Sequence, residues 1–151
     1  MTPQAASQSA PVAAAKLQHH VIYVDDLPKS KEFYINLFDL QLSALNHPDS
    51  SAAMRLSKQE MHFFSCGFYH HDICLVKHHK LKMDNRSMLH FSLVARDPAA
   101  FDDIRMRAMQ MALPQREGRM LASAKVLTGQ RAFCVRDPNG HWLEIIGGSA
   151  P

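Results

Sequence analysis

A chain of 151 residues, 46% hydrophobic and 21% charged, has the size and composition of one globular domain with enough length for a real core. Its formal charge of +3 is mild, and no basic stripe is interleaved with aromatics, which argues against nucleic acid as a partner. No apolar run approaches the ~20 residues that a membrane span needs.

Residues 1–16, rich in Ala, Ser, Gln and Pro, show no periodicity and read as a disordered arm. The apolar run 12–15 is too short for a secretory leader, and no positive charge precedes it. Three cysteines, Cys66, Cys74 and Cys134, make an odd count without a scaffold spacing, so the expectation is a cytoplasmic protein with reduced thiols.

From residue 17 the alternation of apolar positions predicts a strand over 17–24, with His20, Ile22 and Val24 on one face and His19, Val21 and Tyr23 on the other. Asp25 and Asp26 then form an acidic cap, with Pro28 near the first helical position. Phe33, Tyr34, Leu37, Phe38 and Leu40 follow at helical spacing, predicting an amphipathic helix over 30–40. Strands are expected at 41–45, 52–57, 61–66 and 71–76, and a polar, basic linker at 78–87.

That opening recurs. A strand over 88–95 contains His90; Asp97 and Pro98 follow it, and Phe101, Ile104, Arg105, Ala108 and Ala112 mark a second helix. His19 and His90 are 71 residues apart, and so are Asp26 and Asp97. Further strands are expected near 126–135 and 140–146. The chain therefore reads as two βαβββ units, module one at 17–77 and module two at 88–148, within a single domain. Pseudo-twofold packing of the copies would bring one histidine from each opening strand into a shared cleft.

Glu144 interrupts the closing apolar run Trp142, Leu143, Ile145, Ile146, just beyond the turn Asp137-Pro138-Asn139-Gly140. A carboxylate among buried residues is costly unless a positive partner meets it, either an Arg or Lys or a metal ion. Two imidazoles and one carboxylate make a metal ligand set with open positions for substrate, suited to Fe(II), Mn(II), Zn(II), Ni(II) or Co(II).

The residues His19-His20-Val21-Ile22-Tyr23-Val24-Asp25-Asp26-Leu27 with Phe33-Tyr34, then Leu89-His90-Phe91-Ser92-Leu93, then Asp137-Pro138-Asn139-Gly140 with Glu144, resemble the vicinal oxygen chelate superfamily of glyoxalases, bleomycin-resistance proteins and extradiol dioxygenases. The resemblance implies an α+β fold in which two βαβββ modules form a cupped mixed sheet with helices outside. It also implies metal ligands at His19, His90 and Glu144, with Fe(II) first among the divalent ions. His20, the neighbour on the helix-facing side, is the alternative to His19. The segment His71-Asp72-Ile73-Cys74-Leu75 resembles the strand that ends the first half of the extradiol catalytic domain, which implies an acid/base role for His71.

Tyr23 and Cys134 are candidate substrate contacts. His62, His78 and His79 are expected to be solvated. Extradiol enzymes carry a His and a Tyr where this chain has Met120 and Cys134, neither of which supplies the same hydrogen bond. The implied function is a metal-dependent oxidoreductase, dioxygenase-like, acting on a small catechol-type substrate with vicinal oxygens, as a homodimer. A glyoxalase-like isomerase or lyase, a fosfomycin-type transferase, and a non-catalytic ligand-binding protein of the bleomycin-resistance kind are the alternatives.

Overall fold

Two aspartates at equivalent points of the repeat start the two helices. The Asp26 carboxylate accepts from the Lys29 backbone N–H at 3.0 Å, and that of Asp97 from Ala100 at 2.7 Å, each satisfying a donor the first helical turn leaves unpaired. Pro28 and Pro98 occupy the first positions, where no N–H is needed. The computed structural model describes residues 19–47, 49, 58–67, 69–78, 90–118 and 131–147. Within these, the order is β1 (His20–Val24), α1 (Leu27–Phe38), β2 (Gln41–Asn46), β3 (Met61–Ser65), β4 (Ile73–Lys77), β5 (His90–Val94), α2 (Pro98–Gln110), β6 (Gln115–Glu117), β7 (Ala132–Arg136) and β8 (Trp142–Ile146).

The strands form two four-stranded mixed sheets of the same plan, β1-β4-β3-β2 and β5-β8-β7-β6. In each, the first strand pairs parallel with the last of its module and the remaining pairs are antiparallel. This is the expected α+β architecture of two βαβββ modules. The helices and one face of each sheet share a single core. Ile22, Val24, Phe64, Ile73 and Leu75 supply it from module one, and Phe133, Val135, Leu143 and Ile145 from module two, with Phe33, Tyr34, Leu37, Phe101 and Ala108 from the helices. Phe63, Cys74 and Val76 make a separate cluster on the opposite face of the first sheet.

Several boundaries differ from the sequence reading. Helix α1 starts at Leu27, directly after its Asp26 cap, and stops at Phe38 rather than 40, because Asp39 adopts the left-handed conformation (φ 54°) and its N–H bonds the Ile35 carbonyl. Arg107 of α2 grips the Asp39 carboxylate at 2.6 Å, which ties the helices together. Strand β4 begins at Ile73, so His71 lies in the turn before it. That turn is closed by Asp72, whose N–H bonds Phe64 O at 2.8 Å and whose carboxylate takes the Cys66 N–H at 2.7 Å. Strand β6 was not foreseen: its three residues are exposed and polar, and it exists through pairing with β7. The expected arm at 1–16, the strand at 52–57 and residues 79–87 of the linker lie outside the described residues. No helix among the described residues is long and apolar enough to cross a membrane.

Candidate metal centre

Strand alternation sorts the site residues by face. On β8, Leu143 and Ile145 enter the core, so Trp142, Glu144 and Ile146 occupy the face turned from the helices. Parallel pairing sets Ser92 of β5 opposite Glu144, and antiparallel pairing sets Cys134 of β7 opposite it on the other side. Glu144 is 3% exposed, as its place in the run required. The Ser92 hydroxyl donates to Glu144 Oε2 at 2.5 Å, so a hydroxyl from the neighbouring strand meets the buried carboxylate. Ser92 was missed as a site residue although its signal was present: it stands two places after His90, on the same face of one strand.

His90 opens β5, pairing with Trp142, and its strand position shares the Ser92 face. His19 immediately precedes β1; its ring packs on that of His71 with centroids 4.8 Å apart. The His20 ring lies 4.9 Å from that of Phe91. These two residues are 71 apart, the repeat distance, so copies of one position meet across the pseudo-twofold relation of the modules. His19 and His90, each one residue earlier, have the same spacing of 71 in the sequence.

His20 sits near His141; burial, then the proximity of that second imidazole, hold its pKa below the ordinary histidine value. Behind it lies a buried polar group. Asp137 Oδ2 accepts from Tyr34 Oη at 3.0 Å and lies 2.8 Å from His141 Nδ1, while Oδ1 accepts the N–H groups of Asn139 and His141. This carboxylate closes the Asp137-Pro138-Asn139-Gly140 turn, where Gly140 takes φ 92°.

His71, between His19, His70 and Phe63, has its pKa lowered by burial first and then by the two neighbouring imidazoles, against the opposing pull of Asp72. These surroundings favour the neutral ring. Tyr23 is 46% exposed, its ring edge-on to His78 at 5.7 Å. The Cys134 thiol is buried and donates to Gly118 O at 3.4 Å. His62, expected to be solvated, is instead mostly covered, because Phe64 and the Glu60 carboxylate flank it. His78 is exposed, and His79 lies outside the described residues. Among the described residues no three His, Cys, Asp or Glu side chains already converge as a metal cage. A cleft of about 1030 Å³ lies elsewhere, between the end of α1, the end of β5 and α2, lined by Leu37, Leu93, Ile104 and Arg107 among others.

The paired βαβββ plan, one sheet and one helix to each module, defines a class of small α+β proteins built from a repeated unit. The profile of the Glyoxalase/Bleomycin resistance protein/Dioxygenase superfamily matches residues 16–145, and the chain belongs to that superfamily. No curated protein sequence matches the chain. Among solved structures, a variant of the fosfomycin resistance protein FosX from Listeria monocytogenes, complexed with Mn(II) and 1S,2S-dihydroxypropylphosphonic acid, is similar at TM-score 0.64 and 18% identity, covering 91% of this chain and 95% of that one. FosX from Mesorhizobium loti is similar at TM-score 0.64 and 22% identity, over 91% and 94% of the two chains. A lactoylglutathione lyase from Agrobacterium tumefaciens is similar at TM-score 0.59 and 23% identity, over 90% and 95%. At these identities the likeness is one of fold.

Proposed function

We propose that the protein is a metal-dependent enzyme acting on a small substrate with vicinal oxygens, and that His19, His90 and Glu144 are its metal ligands. The observation that carries this reading is Glu144, a carboxylate 3% exposed on the face turned from the helices, in the strand paired with β5 that His90 opens. Two imidazoles and a carboxylate fit a divalent first-row ion, Fe(II) first, with Mn(II), Zn(II), Ni(II) and Co(II) also suited. When bound, the ion supplies Lewis acidity and a template for two substrate oxygens.

The chain's own residues do the rest. Ser92 orients the Glu144 carboxylate through its hydrogen bond. His71, its neutral ring favoured by its surroundings, takes a proton from the substrate hydroxyl and returns it later. Tyr23, 46% exposed, offers a surface for the carbon skeleton. Cys134 is a candidate contact at the floor, opposite Glu144.

The finer reading is a catechol-type dioxygenase working as a homodimer in the cytoplasm, where Cys66, Cys74 and Cys134 stay free thiols. A second reading has a specific observation in its favour. FosX, similar in fold, carries Mn(II) and a vicinal diol phosphonate, while the Cys134 thiol is turned to a backbone carbonyl. That reading is non-oxidative chemistry, of the isomerase, lyase or transferase kind.

Metal content of protein purified without chelator tests the class. About one equivalent supports an enzyme, and metal-free protein that still binds small aromatics points to a sequestering protein instead. A panel of catechols under air with Fe(II)-loaded protein then tests the reaction, and absence of coloured ring-fission product removes the dioxygenase.

A further inference from the structure

The β3–β4 turn presents two adjacent imidazoles, His70 and His71, with their Nδ1 atoms 3.0 Å apart. Two neutral rings at this distance share a proton, one Nδ1 donating and the other accepting. The same separation suits two neighbouring ligands of one ion. With metal–nitrogen bonds of ~2.0–2.1 Å, nitrogens this far apart subtend about 94° at the metal.

The pair is also held in place. The His71 ring is packed between His19, at 4.8 Å, and Phe63, at 5.2 Å. The turn beneath is fastened by Asp72 N–H to Phe64 O, His20 N–H to Asp72 O, and Ser65 Oγ to Tyr69 O. A chelate built on such a base loses little conformational freedom on binding. The nearby Asp72 carboxylate accepts the Cys66 N–H through Oδ2, and the two imidazoles are the donors the turn presents side by side.

We propose that His70 and His71 form a second metal site, separate from His19, His90 and Glu144, for an imidazole-seeking divalent ion such as Ni(II), Cu(II) or Zn(II). The protein supplies two nitrogens, and water fills the remaining positions on the exposed side, where His70 lies. An all-imidazole pair favours these ions over Mg(II), Ca(II) or Mn(II), which prefer oxygen. An ion here occupies a nitrogen of His71 and withdraws that ring from proton transfer, a consequence that rests on the reading above; the binding itself does not.

Calorimetric titration of the metal-free full chain with Ni(II) tests the site. Wild type should take two equivalents, while His70→Ala and Glu144→Ala should each take one. In the Glu144→Ala protein, paramagnetic broadening by Ni(II) should be strongest for the His70 and His71 imidazole signals, with His19, 4.8 Å from His71, next. If His70→Ala still binds two equivalents, or if broadening spares His70 and His71, the second site does not exist. If His70→Ala loses one equivalent while Glu144→Ala loses none, the second site stands and the assignment of Glu144 as a ligand fails.

Discussion

At the scale of single residues, Glu144 and Ser92 form the unit on which the metal assignment turns. The hydroxyl donates to one carboxylate oxygen, Oε2. Ser92→Ala keeps the fold but deletes this hydrogen bond to the carboxylate, so metal affinity, read by competition with a chelator, should weaken about 10–100-fold. Unchanged affinity would show that Ser92 has no part in orienting the ligand. Cys66 offers a second residue-scale test. Although the residue is exposed, crowding around its sulfur and then the Asp72 carboxylate push the thiol pKa up to about 11. At pH 8 only about one thiol in a thousand is then the reactive thiolate. Alkylation at Cys66, followed by mass spectrometry, should be slow at pH 8 and rise steeply toward pH 11. Asp72→Asn should accelerate it, and equal rates in the two proteins would remove the carboxylate from the explanation.

At the scale of elements, the joint between α1 and the β7–β8 turn is a polar one inside the core. Tyr34 is fully buried, and its hydroxyl ends on Asp137, which also holds the turn backbone and His141. Tyr34→Phe keeps the ring packing and deletes one donor to a buried carboxylate, costing about 1–3 kcal/mol in urea unfolding. The pH dependence has a definite sign. Burial first, then the Asp137 carboxylate, raise the Tyr34 pKa well above its ordinary value near 10. The native state thus holds a proton that the unfolded chain releases, and stability falls as pH rises past about 10. In Tyr34→Phe that part of the decline should vanish, and an identical alkaline limb in both proteins would contradict the account.

These elements also show what a sequence discloses and what it withholds. Asp26 with Pro28, and Asp97 with Pro98, announced the helix starts because capping is local chemistry. The stripe through Phe33, Tyr34 and Leu37 announced the buried face. The end of α1 was misjudged because Leu40 continues the apolar spacing while the left-handed Asp39 is stabilised by Arg107, a residue far along the chain. β6 was illegible because an exposed three-residue edge strand has no apolar alternation to display. The candidate site was legible in part: Glu144 is buried as its neighbours implied. The Ser92 contact and the packing of His71 on His19 both depend on strand register and turn closure, which no local pattern encodes.

At the scale of the whole molecule, the repeat raises the question of whether two βαβββ units fold as two bodies or one. Each has its own sheet, and the two openings match at a spacing of 71 residues. The core nevertheless ignores the division: Ile22, Phe64 and Leu75 of one module and Phe133, Val135 and Leu143 of the other belong to one buried cluster. Polar ties cross the same boundary, from Tyr34 to Asp137, Ser30 to Asn139 and Arg107 to Asp39. A module released from its partner would expose the apolar residues it gives to that cluster, and Asp137 would lose the Tyr34 hydroxyl, so the two copies should depend on each other to stay folded. The single tryptophan, Trp142, lies in β8 of module two, whereas far-ultraviolet dichroism reports both modules. In urea the two signals should therefore trace one coincident transition. Separate midpoints, with the tryptophan signal leading or lagging the dichroism, would mean that the modules unfold one at a time and that the shared core couples them less than its composition implies.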